Sequence, residues 1–299
     1  MKSSKRESLS RILLEDIKTS ANLGTRKFIS WLIDRFGYRP AGWLAEILSR
    51  IDEQLEETSL SETANRAIYA VSDGLVVNDR DAFPSSGPLL VVANHPGMID
   101  ILGLIACVNR DDVKIVAQQK EFMRVLGNIN RHMLTIEPDS TFKLKAIREV
   151  IQALNDDMAV IIFPKGLLEP DPALIPGAVE SLKGWSDSIG VFLNKVPKTQ
   201  LLPVLVSGVL TEKAWNSRFA KFGWNQKRRQ QFAMARQLMA QRFPKNEQWK
   251  RPMHIDVGQP KRAEELDPNL DPRMLNLAVR QEMLTLLEQV YPWQGPFEL

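Results

Sequence analysis

Two kinds of hydrophobic pattern alternate along this chain. Short runs of mostly apolar residues predict buried β-strands, and longer segments with apolar residues every three or four positions predict amphipathic helices. The short runs lie at residues 89–93, 113–117, 133–136, 158–163, 201–206 and 254–258. Helical patterns separate most of them, including 141–154, 181–193 and 271–291. This alternation predicts an α/β fold, in which a mixed, mostly apolar sheet is flanked by helices.

The first 70 residues differ because they carry only helical periodicity. Three apolar stripes occur there: Leu9, Ile12, Leu13 and Ile17; Phe28, Trp31, Leu32 and Phe36; and Leu44, Ile47, Leu48, Ile51 and Leu55. A segment rich in Pro, Gly and Ser follows at 79–88. We therefore predict an N-terminal helical bundle or cap over residues 1–82 and an α/β domain over residues 83–299. The helices either pack against that domain or present a surface to a partner or a membrane.

A candidate catalytic pair follows the first apolar run. The run 89–93 predicts a strand, Pro96 and Gly97 end it, and apolar residues at helical spacing resume from Met98. His95 therefore lies in the turn, and Asp100 lies in the first turn of the next helix. An imidazole beside a carboxylate is suited to general base catalysis. The same spacing is also compatible with a polar strand end and an Asp at a helix start.

The segment from Asn94 to Asp100, Asn-His-Pro-Gly-Met-Ile-Asp, resembles the N-H-x4-D block of the glycerolipid and lysophospholipid acyltransferases, the PlsC-like family. The resemblance implies a glycerol-3-phosphate acyltransferase-like fold and a role in phospholipid biosynthesis. It also implies transfer of a fatty acyl group from acyl-CoA or acyl carrier protein to a hydroxyl of a lysophospholipid or glycerolipid. His95 would act as general base and Asp100 would hold its imidazole. The donor is a co-substrate, and neither a cofactor nor a metal is expected.

Later blocks extend the resemblance, with substitutions. Phe163-Pro164-Lys165-Gly166 is similar to the family's Phe-Pro-Glu-Gly, with Lys165 in place of Glu. At the position of the family's acceptor-binding Arg the chain has Pro138. The residues that we expect to bind substrate are Asn94, Lys120, Lys165 and Gly166. The two substitutions leave the acceptor open and motivate an alternative, a non-catalytic protein that binds lipid or membrane on the same fold.

Residues 213–251 form a basic and aromatic segment. They include eleven Lys or Arg residues, one acidic residue and seven Trp or Phe residues, which gives a net charge of +10. This composition suits an anionic membrane surface. It would also suit single-stranded nucleic acid, or a helix with a solvated basic face and an aromatic core stripe. We predict an anionic membrane surface as the partner and no nucleic acid.

Composition indicates the class of protein and the compartment in which we expect it. The chain has 299 residues, of which 44% are hydrophobic and 25% charged, values typical of a soluble globular protein. Cys107 is the only cysteine, which fits a reducing compartment, and it lies on an apolar helical face. No apolar stretch is long enough to span a bilayer, and residues 1–11 lack a signal-peptide core. We expect a cytoplasmic protein that binds the inner face of the membrane peripherally.

Overall fold

The computed structural model describes residues 2–20, 38–136, 140–241 and 247–294. The helices are α1 Lys2–Ser20, α2 Tyr38–Gln54, α3 Leu60–Val71, α4 Asp100–Val108, α5 Glu121–Val125, α6 Gly127–Asn130, α7 Ser140–Asn155, α8 Ala178–Leu182, α9 Ser188–Lys195, α10 Glu212–Trp215, α11 Gln226–Gln241, α12 Ala263–Leu266 and α13 Pro272–Val290. The strands are β1 Leu75–Asn78, β2 Leu89–Ala93, β3 Val113–Gln118, β4 Met133–Ile136, β5 Ala159–Ile162, β6 Gln200–Ser207, β7 Met253–Val257 and β8 Lys261–Arg262. Single 3-10 turns occur at Arg80–Ala82, Ala220–Phe222, Glu247–Trp249 and Pro292–Gln294.

The chain forms two compact units. The first comprises residues 1–59 and 119–133, and the second comprises residues 60–118 and 134–299. This division differs from the predicted boundary at residue 83. Helix α3 and strand β1 precede that residue but belong to the second unit, where β1 pairs in parallel with β7.

The first unit has its own apolar core. Helix α1 contributes three buried leucines, helix α2 two buried alanines, and Leu126 completes the cluster. Asp52 of α2 accepts hydrogen bonds from the backbone N–H groups of Asn128 and Ile129, at 2.9 and 3.0 Å. These bonds satisfy donors at the start of α6 that have no partner within the helix. The predicted stripe containing Phe28, Trp31, Leu32 and Phe36 lies outside the described residues.

The second unit is built on the sheet that the apolar runs predict. The strand order is β1-β7-β6-β2-β5-β3-β4, and β8 pairs with β6. Strand β6 runs parallel to β2 and antiparallel to β7 and β8, so the sheet is mixed, as predicted. All six predicted strands are present. β1 and β8 were missed because β1 has only four residues with half-buried, half-exposed alternation, and β8 has only two.

The centre of the sheet is buried on both faces. Every residue of β2 and of β5 is buried, which is why these strands read as unbroken apolar runs. On one face, Leu90 and Val92 join a core cluster with side chains from α7, α9 and α13. On the other, α4 lies so close to β7 that a Cβ on Gly103 would sit 2.6 Å from Met253 Sδ. Each fully buried Val, Leu or Ile contributes roughly 1.5–3 kcal/mol to folding.

The helix predicted over residues 181–193 is instead two helices. α8 ends at Leu182, α9 begins at Ser188, and the connecting turn contains Gly184. Trp185 in that turn is buried, and its indole N–H reaches the carboxylate of Glu169. The tertiary hydrogen bond and the burial of the indole therefore take the place of a continuous helix.

Gly190 provides a test of the packing between α9 and α13. A Cβ at this position would fall 1.9 Å from the backbone oxygen of Pro272, which cannot move without displacing the start of α13. We expect Gly190→Ala to lower the free energy of unfolding by about 1–3 kcal/mol, measured by urea denaturation.

Gly127→Ala is the matched control, because nothing lies within 4 Å of the Cβ it would add. An unfolding free energy for Gly190→Ala as high as that of the Gly127→Ala protein would contradict the close approach of the two helices.

Candidate active site

The candidate site lies where two neighbouring strands leave the sheet. β2 and β5 are parallel, and Val92 is in register with Ile162, so the residues after them emerge at the same edge. His95 follows β2 and Phe163 follows β5. Their rings stack with centroids 4.4 Å apart and planes 28° from parallel. The two blocks that the resemblance singled out are therefore in direct contact.

His95 and Asp100 form a hydrogen-bonded pair. The distance from His95 Nδ1 to Asp100 Oδ2 is 2.8 Å, and the carboxylate is fully buried. Oδ2 also accepts from the backbone N–H of Gly97 at 3.0 Å, and Oδ1 accepts from that of Ile101 at 2.8 Å. An ionised carboxylate can only accept, so Nδ1 carries the proton and Nε2 is the basic nitrogen.

Close packing fixes the turn between the two residues. Gly97 is buried, and a Cβ on it would lie 2.4 Å from Val209 Cγ1. Only glycine allows the turn to approach β6's following loop this closely. Asp100 begins α4 directly after the turn, so the short path from His95 to the helix brings imidazole and carboxylate together.

The surroundings of His95 perturb its pKa. Burial opposes the charged imidazolium and lowers the pKa, but the carboxylates of Asp100 and Glu169 outweigh it. The pKa of His95 is therefore raised above its ordinary value. A base with a raised pKa binds the proton of a substrate hydroxyl more strongly once it has accepted it.

Glu169 is a buried acid beside the pair that the sequence patterns did not single out. Its Oε1 accepts from the backbone N–H of His95 at 3.2 Å, and its Oε2 accepts from Ser181 Oγ at 2.7 Å and from Trp185 Nε1 at 3.1 Å. Its own backbone N–H donates to the His95 carbonyl at 2.8 Å. Burial raises the pKa of Glu169, and these hydrogen bonds oppose that effect.

Gln230 of α11 is a second residue that the patterns missed. Its side-chain amide donates to the carbonyls of Pro96 and Glu169, at 2.8 and 2.7 Å. Gln237 donates in the same way to Val209, and Gln241 donates to Val71 and Trp249. Of these amides, that of Gln230 supports the turn that holds His95.

The predicted substrate-binding residues occupy different settings. Both polar atoms of the Asn94 side chain bond to the backbone of Val206 in β6, at 2.7 and 2.9 Å. The Lys165 ammonium donates to the Ser181 carbonyl at 3.1 Å. Gly166 is exposed and has φ +63°, which glycine adopts without strain. Their roles in binding substrate stay predictions.

The remaining two positions from the sequence analysis are Lys120 and Pro138. Lys120 belongs to the first unit, where it precedes α5 and interacts electrostatically with Asp16. Pro138 lies outside the described residues.

A small internal space borders the site on the side facing the core. Asn94 and Glu169 contribute its polar atoms, and most of the remaining lining is apolar, including Leu182, Leu205 and Met283. It has room for about one water molecule. The space is too small to hold a fatty acyl chain.

Comparison with known proteins agrees with the motif-based interpretation. The family model described as Acyltransferase matches residues 74–183, a segment that contains His95, Asp100 and the turn from Phe163 to Gly166. Over this segment the match confirms the acyltransferase resemblance. No curated protein matches the chain.

One solved structure that resembles the chain is the crystal structure of the 1-acyl-sn-glycerophosphate (LPA) acyltransferase PlsC from Thermotoga maritima. The two chains are 18% identical, the TM-score is 0.45, and the alignment covers 97% of this chain and 99% of that one.

The support that α11 gives to the site can be measured with two glutamines one helical turn apart. Gln230→Ala leaves two buried carbonyls without their donor, so we expect the free energy of unfolding to fall by roughly 1–3 kcal/mol. Gln226 is exposed and donates only to Pro176, so Gln226→Ala should stay within about 0.5 kcal/mol of wild type. Equal effects of the two substitutions would contradict the proposed difference.

Proposed function

We propose that this protein transfers a fatty acyl group from a thioester donor, acyl-CoA or acyl carrier protein, to a hydroxyl of a lysophospholipid or glycerolipid-type acceptor. The observation that carries the proposal is the 2.8 Å hydrogen bond between His95 Nδ1 and the buried Asp100 carboxylate. This bond orients the imidazole and stabilises the imidazolium, as a general base requires. The acyltransferase match over residues 74–183 supports the reaction class.

In the proposed reaction, His95 Nε2 takes the proton of the acceptor hydroxyl. The acceptor oxygen attacks the carbonyl carbon of the thioester, and the oxyanion that forms collapses with cleavage of the carbon–sulfur bond. The imidazolium then returns the proton to the departing thiolate. The products are an ester and a free thiol, and Asp100 stays ionised throughout. No bond forms between the acyl group and the protein, as the resemblance implies.

Apolar side chains accompany His95 at the surface. Met98, in the turn after β2, is 54% exposed, and Leu167, in the turn after β5, is 52% exposed. Exposed apolar groups in the turns that carry His95 and Phe163 suit a substrate with a hydrocarbon chain. Lys165 is held by the carbonyl of Ser181, so a phosphate on the acceptor would have to compete for its ammonium.

The basic and aromatic segment contains both internal and surface contacts. Internally, Trp249 is buried, and the cations of Lys213 and Arg236 lie over its ring at 5.0 and 4.5 Å. Arg229 stacks on Trp215 at 3.9 Å and donates to its carbonyl. These contacts agree with the alternative interpretation of the segment, in which the aromatic side chains pack inside the protein and the cations cover them.

A smaller part of the segment faces solvent. Phe222 is 74% exposed and Trp224 is 59% exposed, and both lie just before α11. The residues from Asn216 to Arg228 include Arg218, Lys221, Lys227 and Arg228 and contain no acidic residue. α11, which follows Trp224 directly, also carries Gln230, which contacts the His95 turn.

We propose that this surface, the exposed residues of 216–228, binds the cytoplasmic face of an anionic membrane. Aromatic rings would enter the interface between headgroups and acyl chains, and the cations would bind acidic headgroups. A membrane bound there would present acceptor lipids close to the base. In the part of the chain that the structure describes, none of the helices combines the length and the hydrophobicity of a membrane-spanning segment.

Removal of the base tests the reaction. We expect His95→Ala to reduce kcat for acyl transfer by at least about 10²-fold while the circular dichroism spectrum stays unchanged. His132→Gln replaces a histidine of the first unit and should keep its activity. Wild-type turnover by the His95→Ala protein would contradict the mechanism. Failure of the wild type to consume any thioester with these acceptors would favour the non-catalytic alternative.

Co-sedimentation with vesicles tests the membrane surface. The double variant Phe222→Ser, Trp224→Ser should bind vesicles containing phosphatidylglycerol at least about tenfold more weakly than wild type. It lacks the two large apolar side chains that would be buried in the membrane. Trp293→Ser is the control, since Trp293 is similarly exposed but lies outside the segment. Equal loss in both variants, or binding to neutral vesicles as strong as to anionic ones, would contradict the proposal.

A further inference from the structure

Glu169 has a buried carboxylate that the acyl-transfer mechanism does not use. A buried ionisable group costs free energy unless its environment compensates it. Here three donors converge on its two oxygens, from the His95 backbone, the Ser181 hydroxyl and the Trp185 indole. These donors come from the turn after β2, from α8 and from the turn after α8. The protein therefore keeps a buried acid next to its candidate base and uses three hydrogen-bond donors to compensate the free energy of burying it.

The contact between Glu169 and His95 runs in both directions. The side chain of Glu169 accepts the backbone N–H of His95, and the backbone N–H of Glu169 donates to the carbonyl of His95. The side-chain amide of Gln230 donates to the carbonyl of Pro96, which follows His95, and to the carbonyl of Glu169. With both backbone groups of His95 bonded, the residue that carries the imidazole cannot rotate about its own backbone without breaking these bonds.

Burial raises the pKa of Glu169, and the donors around its carboxyl group stabilise the ionised form against that effect. Each carboxylate oxygen receives an N–H group, one from the His95 backbone and one from the Trp185 indole, and an N–H group cannot accept a proton in return. The other groups packed there are neutral amide and hydroxyl groups from Gln230 and Ser181. Of the neighbouring charged groups, Lys165 bonds to a carbonyl, and Asp171 accepts from the backbones of Ala173, Gly208 and Leu210.

We propose that Glu169 is a positioning residue for the proposed acyl transfer: it fixes the backbone of His95 and places a second buried negative charge near the imidazole, in addition to Asp100. The inference rests on the proposed function for its catalytic meaning. The effect of the Glu169 charge on the His95 imidazole applies to the folded protein whether or not substrate is present.

The two carboxylates act on the imidazole with the same sign. Negative charge stabilises the imidazolium, so both raise the pKa of His95. His95 acts as a base only when it is neutral, and activity therefore rises as pH rises through this pKa. Removing the charge of Glu169 must lower the pKa of His95 and move the acidic limb of the pH–rate profile to lower pH.

The test is the NMR titration of the His95 imidazole, which is tractable because the chain has three histidines. We expect Glu169→Gln to lower the pKa of His95 by at least about half a pH unit relative to wild type, and Glu169→Asp, which keeps the charge, to restore most of the difference. Glu180→Gln is the control, since Glu180 is an exposed glutamate of α8. An unchanged pKa of His95 in folded Glu169→Gln would overturn the proposal.

A reciprocal measurement covers the case in which Glu169→Gln does not fold. Coupling between two sites is mutual, so loss of the imidazole must raise the pKa of Glu169. Carbon-13 NMR of labelled glutamate carboxyls in wild type and in His95→Ala measures that shift. A carboxyl of Glu169 that titrates identically in the two proteins would reject the coupling.

The proposed function and this inference fail in different ways. If the wild type transfers no acyl group but the pKa of His95 still falls in Glu169→Gln, only the function is rejected. If the wild type is active and the acidic limb of kcat/KM does not move in Glu169→Gln, only the role of Glu169 is rejected.

Discussion

The hydrogen bond between His95 and Asp100 is the constraint around which this site is organised. Asp100 is fully buried, and a carboxylate in that position is tolerated because three donors bond to its oxygens. They are an imidazole N–H and two backbone N–H groups. Those backbone donors exist because the chain turns sharply at Gly97 and then starts a helix. The geometry of the candidate pair and the stability of the buried acid are therefore two consequences of the same turn.

The same requirement extends outward from the pair. Glu169 and Asp171 are buried acids on the segment after β5, and each bonds to backbone groups of a loop that follows another strand. Glu169 ties that segment to the turn after β2, and Asp171 ties it to the loop after β6. Hydrogen bonds to these two acids thus join three loops that are distant in the sequence. They restrain the end of the sheet at which the imidazole is held in one orientation.

Helix α11 shows how a polar helix can be part of a core. Its buried positions include Gln230, Ala233, Met234, Gln237, Ala240 and Gln241, which have the i, i+3, i+4, i+7 spacing of an amphipathic helix. Half of them are glutamines, whose amides donate to loop carbonyls. The other half, Ala233, Met234 and Ala240, pack in an apolar cluster. The basic residues lie mainly elsewhere on the helix and in the preceding turn, so internal packing and an exposed cationic surface coexist in one segment.

What could be predicted from the sequence was local. Unbroken apolar runs identified the central strands, since a strand buried on both faces tolerates no polar residue, and the spacing of His95 and Asp100 across a Pro-Gly turn identified the candidate pair. β8 has too few residues for a pattern to emerge, and β1 is only half-buried, unlike the fully buried β5 of the same length. Glu169 and Gln230 were not identifiable, because their partners are 74 and 134 residues away along the chain. Which acid lies beside an imidazole, and which amide satisfies a buried carbonyl, is decided by the tertiary structure, since only folding brings those groups within hydrogen-bonding distance and removes the water that would otherwise satisfy them.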